Sequence, residues 1–436
     1  MAFTPILYFE AGAGILLMAW FLCAKPEYGL FLYGLGLGFP DAAIPLGVAI
    51  NLRLDDALLL LFLLRTILWT PAPASPGQHK ILSVQALFLF VCFFSAAVGM
   101  AQGTPPGAYE TMKMIGCAAI VFVLPRIIQS ERRLRFLLAG LMCAGLALAL
   151  QIVLRLGASS ANFLANTQEL KEAATFTTWN PNTIGQAAIL IVFAAGSGWL
   201  VFQGSRVNRI ICSSLSIGFA MIPGLMFVRG TTLSIAAGFI LFFGLMRAWK
   251  SLLVFFLICF SVVFYMRSVD PGLVDDATRV DLSTGEGLSH RLDRWDMAVE
   301  AIQANPLLGQ GFGQEWAYLS DEGSEGRAHN AFLSTWLELG VGGLALLLAV
   351  VYQFISVGVS LYRRTEFQLC GALVLALIVA AFLDSFGLPT LYWEKLPTIS
   401  LSIAVALVGV CEKNALQTVP QVESSMEMET LPHHIY

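Results

Sequence analysis

Two ionisable side chains, His329 and Arg229, occupy positions that an apolar chain should find costly. His329 stands where a long polar loop runs back into an apolar segment, and Arg229 is the only charged residue between Arg209 and Arg247. Charges in or beside a lipid bilayer are costly unless they face water or a partner, so such residues mark functional sites. Imidazole can remove a proton, and guanidinium can hold phosphate oxygens in pairs. The two residues predict a base and an anion-binding cation at one face of a membrane.

The composition predicts a multi-pass membrane protein. Of the 436 residues, 57% are hydrophobic and 12% are charged, whereas a soluble chain carries about 25% charged residues. Apolar runs recur along the whole chain, and a run of about 20 residues crosses the hydrocarbon core. Because backbone in lipid must satisfy its own hydrogen bonds, these runs favour helices. We expect an all-helical protein with about 12 membrane-spanning helices, or 13 if both segments nearest the N-terminus span.

Basic residues orient these helices. They cluster in every second connection, for example between Arg126 and Arg135, and the positive-inside rule assigns such connections to the cytoplasm. The other connections, including one large loop, then lie on the opposite side. The predicted divisions are N-terminal membrane helices at 1–267, the loop with short helices at 268–328, C-terminal membrane helices at 329–411, and a disordered cytoplasmic tail at 412–436.

The loop at 268–328 holds twelve acidic residues, four arginines and no lysine. Arginine presents a planar fork of donors that fits phosphate and carboxylate oxygens. Arg291 fits anion binding and a salt bridge within a helix equally well, whereas Arg294 fits the salt bridge better. The sequence shows no P-loop and no His-x-x-x-His pattern, so we expect neither ATP hydrolysis nor a metal or other cofactor. The net charge of −4 and the lack of a polybasic patch give no indication of nucleic-acid binding.

These residue types are the ones that glycosyl transfer from a polyprenyl pyrophosphate needs. Pyrophosphate is a good leaving group, and arginines can hold its charge without a metal. The attacking hydroxyl must lose a proton, which suits His329. Simpler interpretations stay open: Asn330 or His329 could only cap or pack a helix N-terminus, and Arg229 could only snorkel to the interface.

Four short motifs follow one another between residues 289 and 343. They are Arg-x-x-x-Trp (291–295), Pro-Leu-Leu-Gly-x-Gly (306–311), Ala-His-Asn (328–330) and Glu-x-Gly-x-x-Gly (338–343). In order and spacing this segment resembles the bacterial O-antigen ligase and polymerase superfamily. Two earlier segments are similar to further motifs of the family: Phe227–Thr231 to its Ser-Arg-Gly motif, with Val228 at the small polar position, and Asn180–Asn182 to a Pro-Asn element.

The resemblance implies a membrane glycosyltransferase of the all-helical GT-C type, located in the bacterial inner membrane with its active site and large loop facing the periplasm. It implies metal-independent, inverting transfer of a glycan from undecaprenyl pyrophosphate to lipid A–core. It also implies that membrane lipids surround the protein. His329 would be the catalytic base, and Arg229 and Arg291 would bind the pyrophosphate. The supporting candidates are Asn182, Gly309, Gly311, Arg327, Asn330 and Glu338, of which Arg327 has no counterpart in the motif.

Other functions remain open at this level. A polymerase that extends a growing glycan would use the same donor, and the shared motifs do not separate it from a ligase. A protein O-oligosaccharyltransferase usually carries an added C-terminal soluble region, which the short tail does not offer. A transporter of lipid-linked substrates should show repeated halves with broken helices, and we find no internal repeat.

Overall fold

The described part of the chain is helical apart from one short pair of strands. The structure is a computed structural model, and it describes residues 24–37, 43–45, 51–69, 73–103, 106, 108–159, 205–225, 229–269, 289–319, 327–386 and 395–418. The strands β1 (Ala43–Pro45) and β2 (Asn51–Arg53) pair antiparallel. The prediction of an all-helical protein is confirmed for these residues, and the hairpin is an addition to it.

The described helices, numbered in chain order, are α1 (Pro26–Gly36), α2 (Leu54–Leu68), α3 (Pro76–Ala101), α4 (Ala108–Ile127), α5 (Glu131–Ser159), α6 (Arg206–Leu225), α7 (Arg229–Leu245), α8 (Trp249–Val269), α9 (Ser289–Ala304), α10 (Glu315–Leu319), α11 (Ala331–Tyr362), α12 (Gln368–Asp384) and α13 (Lys395–Thr418). A single 3-10 turn at Thr365–Phe367 joins α11 to α12. Three of these helices bear on the predicted divisions. Helices α9 and α10 are short helices within the predicted loop. Helix α13 runs on to Thr418, so residues 412–418 are helical and not the start of a disordered tail.

Three helical segments in the described part of the chain are long and apolar enough to cross a membrane: Pro76–Ala101, Ala331–Tyr362 and Thr365–Asp384. Shorter apolar helices lie at Ile210–Ala220, Gly230–Leu245 and Trp249–Ser261. The apolar helices support a membrane protein. The count of about 12 spans and the side of the membrane that the loop faces stay predictions.

The core forms where α11 packs against α3 and α12, while α13 packs against α3, α4 and α12. Its buried side chains are almost all aliphatic or aromatic, with Phe88, Phe354 and Leu124 fully enclosed. Helix α7 lies against α12. Helices α9 and α10 pack against the first turns of α11 through a smaller apolar cluster, which includes Ala298 and Leu337. The start of α11, two residues after His329, therefore lies against α9, α10 and α12, and α7 packs on the other side of α12.

Candidate active site

His329 occupies a tight turn between the loop and α11. Its backbone has a positive φ of 51°, a left-handed conformation that non-glycine residues adopt rarely and that clusters at functional sites. Its side chain is half-buried, and the ring nitrogen Nδ1 is buried. The next residue, Asn330, is the N-cap of α11: its Oδ1 accepts hydrogen bonds from the backbone N–H of Phe332 at 3.0 Å and Leu333 at 3.2 Å. Capping by Asn330, one of the simpler interpretations, is thus observed.

The residue before His329 is fixed at both of its backbone polar atoms. The N–H of Ala328 donates to Oε1 of Glu315 at 2.8 Å, and its carbonyl accepts from Nε1 of Trp295 at 2.7 Å. Ala328 itself is fully buried. Because α9 supplies Trp295 and α10 supplies Glu315, both loop helices hold the turn that presents His329.

Glu315 lies within a cluster of buried carboxyl groups. Its Oε1 also accepts from Oγ of Ser334 at 2.7 Å, on the first turn of α11. The backbone N–H of Glu315 in turn donates to Oε1 of Glu338 at 3.3 Å. Among the described residues, Oε2 of Glu338 is buried with no hydrogen-bond partner. Beside this pair, Arg327 forms a 2.5 Å salt bridge with Glu110 on α4.

Like charges lie close together in this cluster. The carboxyl groups of Glu110, Glu315 and Glu338 influence one another, and among the described residues the guanidinium of Arg327 acts on Glu315. Burial raises the pKa of Glu315 above its ordinary value of 4.5, and the charge of Glu110 adds to the rise. The hydrogen bonds from Ser334 and Ala328 and the charge of Arg327 oppose it without cancelling it.

The Pro-Leu-Leu-Gly-x-Gly motif docks onto a kink in α11. The helix is interrupted at Gly340, whose φ is 67°, and the carbonyls freed there accept hydrogen bonds from the loop. Gln310 N–H donates to Leu337 O at 2.7 Å, and Gly311 N–H donates to Glu338 O at 3.0 Å. A Cβ added at Gly309, whose φ is +74°, would lie 2.5 Å from the Gly340 nitrogen. Glycine is required at both positions because the two backbones touch and both are left-handed.

A second junction joins α7 and α12 to the start of α11. Oγ1 of Thr231, on the first turn of α7, donates to Oδ1 of Asp384 at 2.8 Å. The carbonyl of the next residue, Ser385, accepts from the backbone N–H of Ala331 at 2.9 Å. The first turn of α7 and the turn of His329 are therefore linked through one residue pair at the end of α12.

The predicted site residues fall around these two junctions. Arg229 is the first residue of α7, two positions before Thr231, and Arg291 lies on α9 one helical turn before Trp295. The turn contains His329 and Asn330. The carboxyl cluster contains Arg327 and Glu338, and the docked loop contains Gly309 and Gly311. Asn182 lies outside the described residues, as do the side chains of Arg229 and Arg291.

Sequence reasoning missed two residues of this arrangement, Glu315 and Asp384. Asp384 is a buried carboxylate within an apolar run, which is the signal that singled out Arg229. Nothing in the sequence distinguishes Glu315 from the other acidic residues of the loop at 268–328, which holds twelve in all. Its buried position follows from the fold of the loop and not from the local sequence.

Comparison with known proteins agrees with the motifs. Residues 213–348 match the family model described as O-antigen ligase, and this range contains Arg229, Arg291, Glu315, His329 and Glu338. A search of curated proteins gave no match. The match of the domain at 213–348 supports the O-antigen ligase superfamily and suggests a membrane glycosyltransferase-like enzyme.

Proposed function

We propose that this protein transfers a glycan from undecaprenyl pyrophosphate to lipid A–core at the periplasmic face of the bacterial inner membrane. His329 is the general base of the proposed reaction. Arg229 and Arg291 bind the pyrophosphate of the donor. The family match to O-antigen ligase supports this class of reaction and of lipid-linked substrate.

One observation carries the proposal: the turn of His329 is held between the helices that bear the two arginines. Trp295, one turn beyond Arg291, donates to the carbonyl of Ala328. On the other side, Ala331 is bonded to Ser385, whose neighbour Asp384 is bonded to Thr231 near Arg229. The backbone at Arg229, Arg291 and His329 is thereby connected by short hydrogen-bonded paths, and this connection supports the proposal that the three residues act together.

The chemistry needs each of these groups once. His329 removes the proton of the acceptor hydroxyl as its oxygen forms a bond to the anomeric carbon of the donor. The bond from that carbon to the pyrophosphate oxygen breaks on the opposite face, which inverts the configuration. The leaving pyrophosphate keeps the electron pair, and the guanidinium groups of Arg229 and Arg291 balance its added charge.

The direct test is transfer by purified protein in proteoliposomes supplied with lipid-linked glycan and lipid A–core. His329→Ala should abolish transfer while membrane insertion and thermal stability persist. His433→Ala, a substitution of a tail histidine, is the matched control and should transfer at the wild-type rate. Wild-type transfer by His329→Ala would remove the proposed base.

A gene deletion separates ligase from polymerase, the alternative that shares this donor and these motifs. Loss of polymer from lipid A–core, with polymer building up on the carrier lipid, identifies a ligase. Accumulation of single repeat units identifies a polymerase. In either case the donor chemistry at His329 is the same.

A further inference from the structure

A cavity lies far from His329, between α3, α4 and α13. It is open to the surface, has a volume of about 400 Å³, and is lined by twelve residues. Helices α3 and α4 place it relative to the candidate active site. Ser95, sixteen residues after His79 on α3, accepts from the N–H of Phe312 in the docked loop. On α4, Glu110 pairs with Arg327, and Arg126 lies sixteen residues further on.

This spacing sets the cavity at the opposite end of the helices. Sixteen residues of α-helix rise about 24 Å, and both helices give the same separation. The hydrocarbon core of a bilayer is about 30 Å thick. Since α3 is long and apolar enough to cross a membrane, this separation corresponds to opposite interfaces of a bilayer that α3 spans.

The cavity is basic at its polar side. Arg126, Lys413 and His79 line it, and none of its twelve lining residues is acidic. Neither Arg126 nor Lys413 forms an ion pair within the described part of the chain. The acidic neighbour of Lys413, Glu412, does not line the cavity, and its Oε2 accepts from the backbone N–H of Gly77 at 2.9 Å at the start of α3.

The remaining wall of the cavity is apolar. It includes Leu82, Ala86, Phe122 and Pro125. Cations beside an apolar wall at the depth of a membrane interface complement a molecule with an anionic head and a hydrocarbon tail. A small free anion would leave the apolar wall without a partner.

We propose that this cavity binds an anionic phospholipid from the leaflet opposite His329, with the lipid phosphate held by Arg126 and Lys413 and the first carbons of an acyl chain along Phe122 and Leu82. The site is separate from the glycosyl-transfer site, and its occupancy does not depend on the proposed reaction.

The test measures lipid affinity for the full-length purified protein in detergent. Short-chain phosphatidylglycerol is the anionic probe, short-chain phosphatidylcholine the zwitterionic one, and inorganic phosphate the free anion. The variant Arg126→Gln with Lys413→Gln is compared with Arg363→Gln plus Arg364→Gln. That control pair follows α11 at the end remote from His329 and does not line the cavity.

Phosphatidylglycerol should bind wild type more tightly than phosphatidylcholine does. The Arg126/Lys413 variant should lose at least about tenfold in affinity, since hydrogen bonds to charged groups are the strong ones, while the Arg363/Arg364 variant should keep it. Equal binding of the two lipids, or undiminished binding by the Arg126/Lys413 variant, would overturn the proposal. Inorganic phosphate that competes as well as the lipid would overturn the lipid assignment. Should the double variant misfold, Arg126→Gln alone decides, because that side chain is exposed.

Discussion

Glu315 accepts the backbone N–H of Ala328 at 2.8 Å, so a buried carboxyl group thirteen positions upstream sets the conformation of the residue before His329. The same oxygen accepts the hydroxyl of Ser334. One atom therefore ties the turn to the helix that follows it. His329 keeps its left-handed backbone because the residues on both sides are anchored.

Removing this carboxyl should disturb the position of His329 more than the fold. Glu315→Ala leaves a buried N–H and a buried hydroxyl unsatisfied, at about 1–3 kcal/mol each. We expect the kcat of glycan transfer to fall at least tenfold with little change in the KM for the donor. Glu315→Gln keeps an acceptor oxygen at the same place and should retain most of the activity. Equal losses in the two variants, measured in proteoliposomes, would contradict a positioning role.

The raised pKa of Glu315 predicts how stability depends on pH. Because the pKa is higher in the folded state than its ordinary value of 4.5, protonation of Glu315 favours the fold. This contribution is complete below about pH 4.5 and is lost as the pH rises through the folded-state pKa. The Tm of wild type should therefore decline over that window more than the Tm of Glu315→Gln. Glu300→Gln, at an exposed carboxyl on α9, serves as the control and should follow wild type.

The kink of α11 should not tolerate a side chain at Gly340. A Cβ there would collide with the backbone of Leu307 and Leu308. The backbone of Gly340, at φ 67° and ψ −169°, is in addition a conformation that costs a non-glycine residue roughly 1–3 kcal/mol. Gly340→Ala should lower the Tm and reduce transfer, because the docked loop must move away. Gly342→Ala is the matched control, since a Cβ at Gly342 meets no atom within 4 Å. A Gly340→Ala protein as stable as the Gly342→Ala protein would mean that the loop does not depend on this contact.

Arg229 should not be replaceable by lysine. Lysine keeps the charge but cannot donate two parallel hydrogen bonds to a phosphate. If a charged hydrogen bond of about 1.5–3 kcal/mol is lost, kcat/KM should fall roughly 10- to 100-fold in Arg229→Lys. Arg206→Lys, at the exposed start of α6, should be unaffected. Unchanged kinetics in Arg229→Lys would mean that Arg229 contributes only its charge and does not donate paired hydrogen bonds to the phosphate.

Local sequence was sufficient for features that depend on neighbouring residues. Asn330 precedes an apolar run, which is the pattern of a helix N-cap. Gly309 and Gly311 lie in a short motif that indicates a tight turn, and both have positive φ values. The charge of Arg229 within an apolar stretch predicts a functional position, because burying a charge in lipid is costly.

Other features depend on tertiary contacts and were not predictable in this way. The left-handed conformation of His329 needs Glu315 and Trp295, which come from two different helices. The expectation of helices in the N-terminal region did not include the strands β1 and β2, which depend on pairing with each other. The burial of Oε2 of Glu338 depends on the packing of the loop against α11, which local sequence does not predict.

The hydrogen bonds between the 306–311 motif and the kink of α11 make these segments one cooperative unit. Exchanging only the loop between homologous enzymes would leave the carbonyls of Leu337 and Glu338 facing a foreign backbone. A functional chimera should instead carry the whole block from Ser289 to Gly343, so that the loop arrives together with the helix end on which it folds.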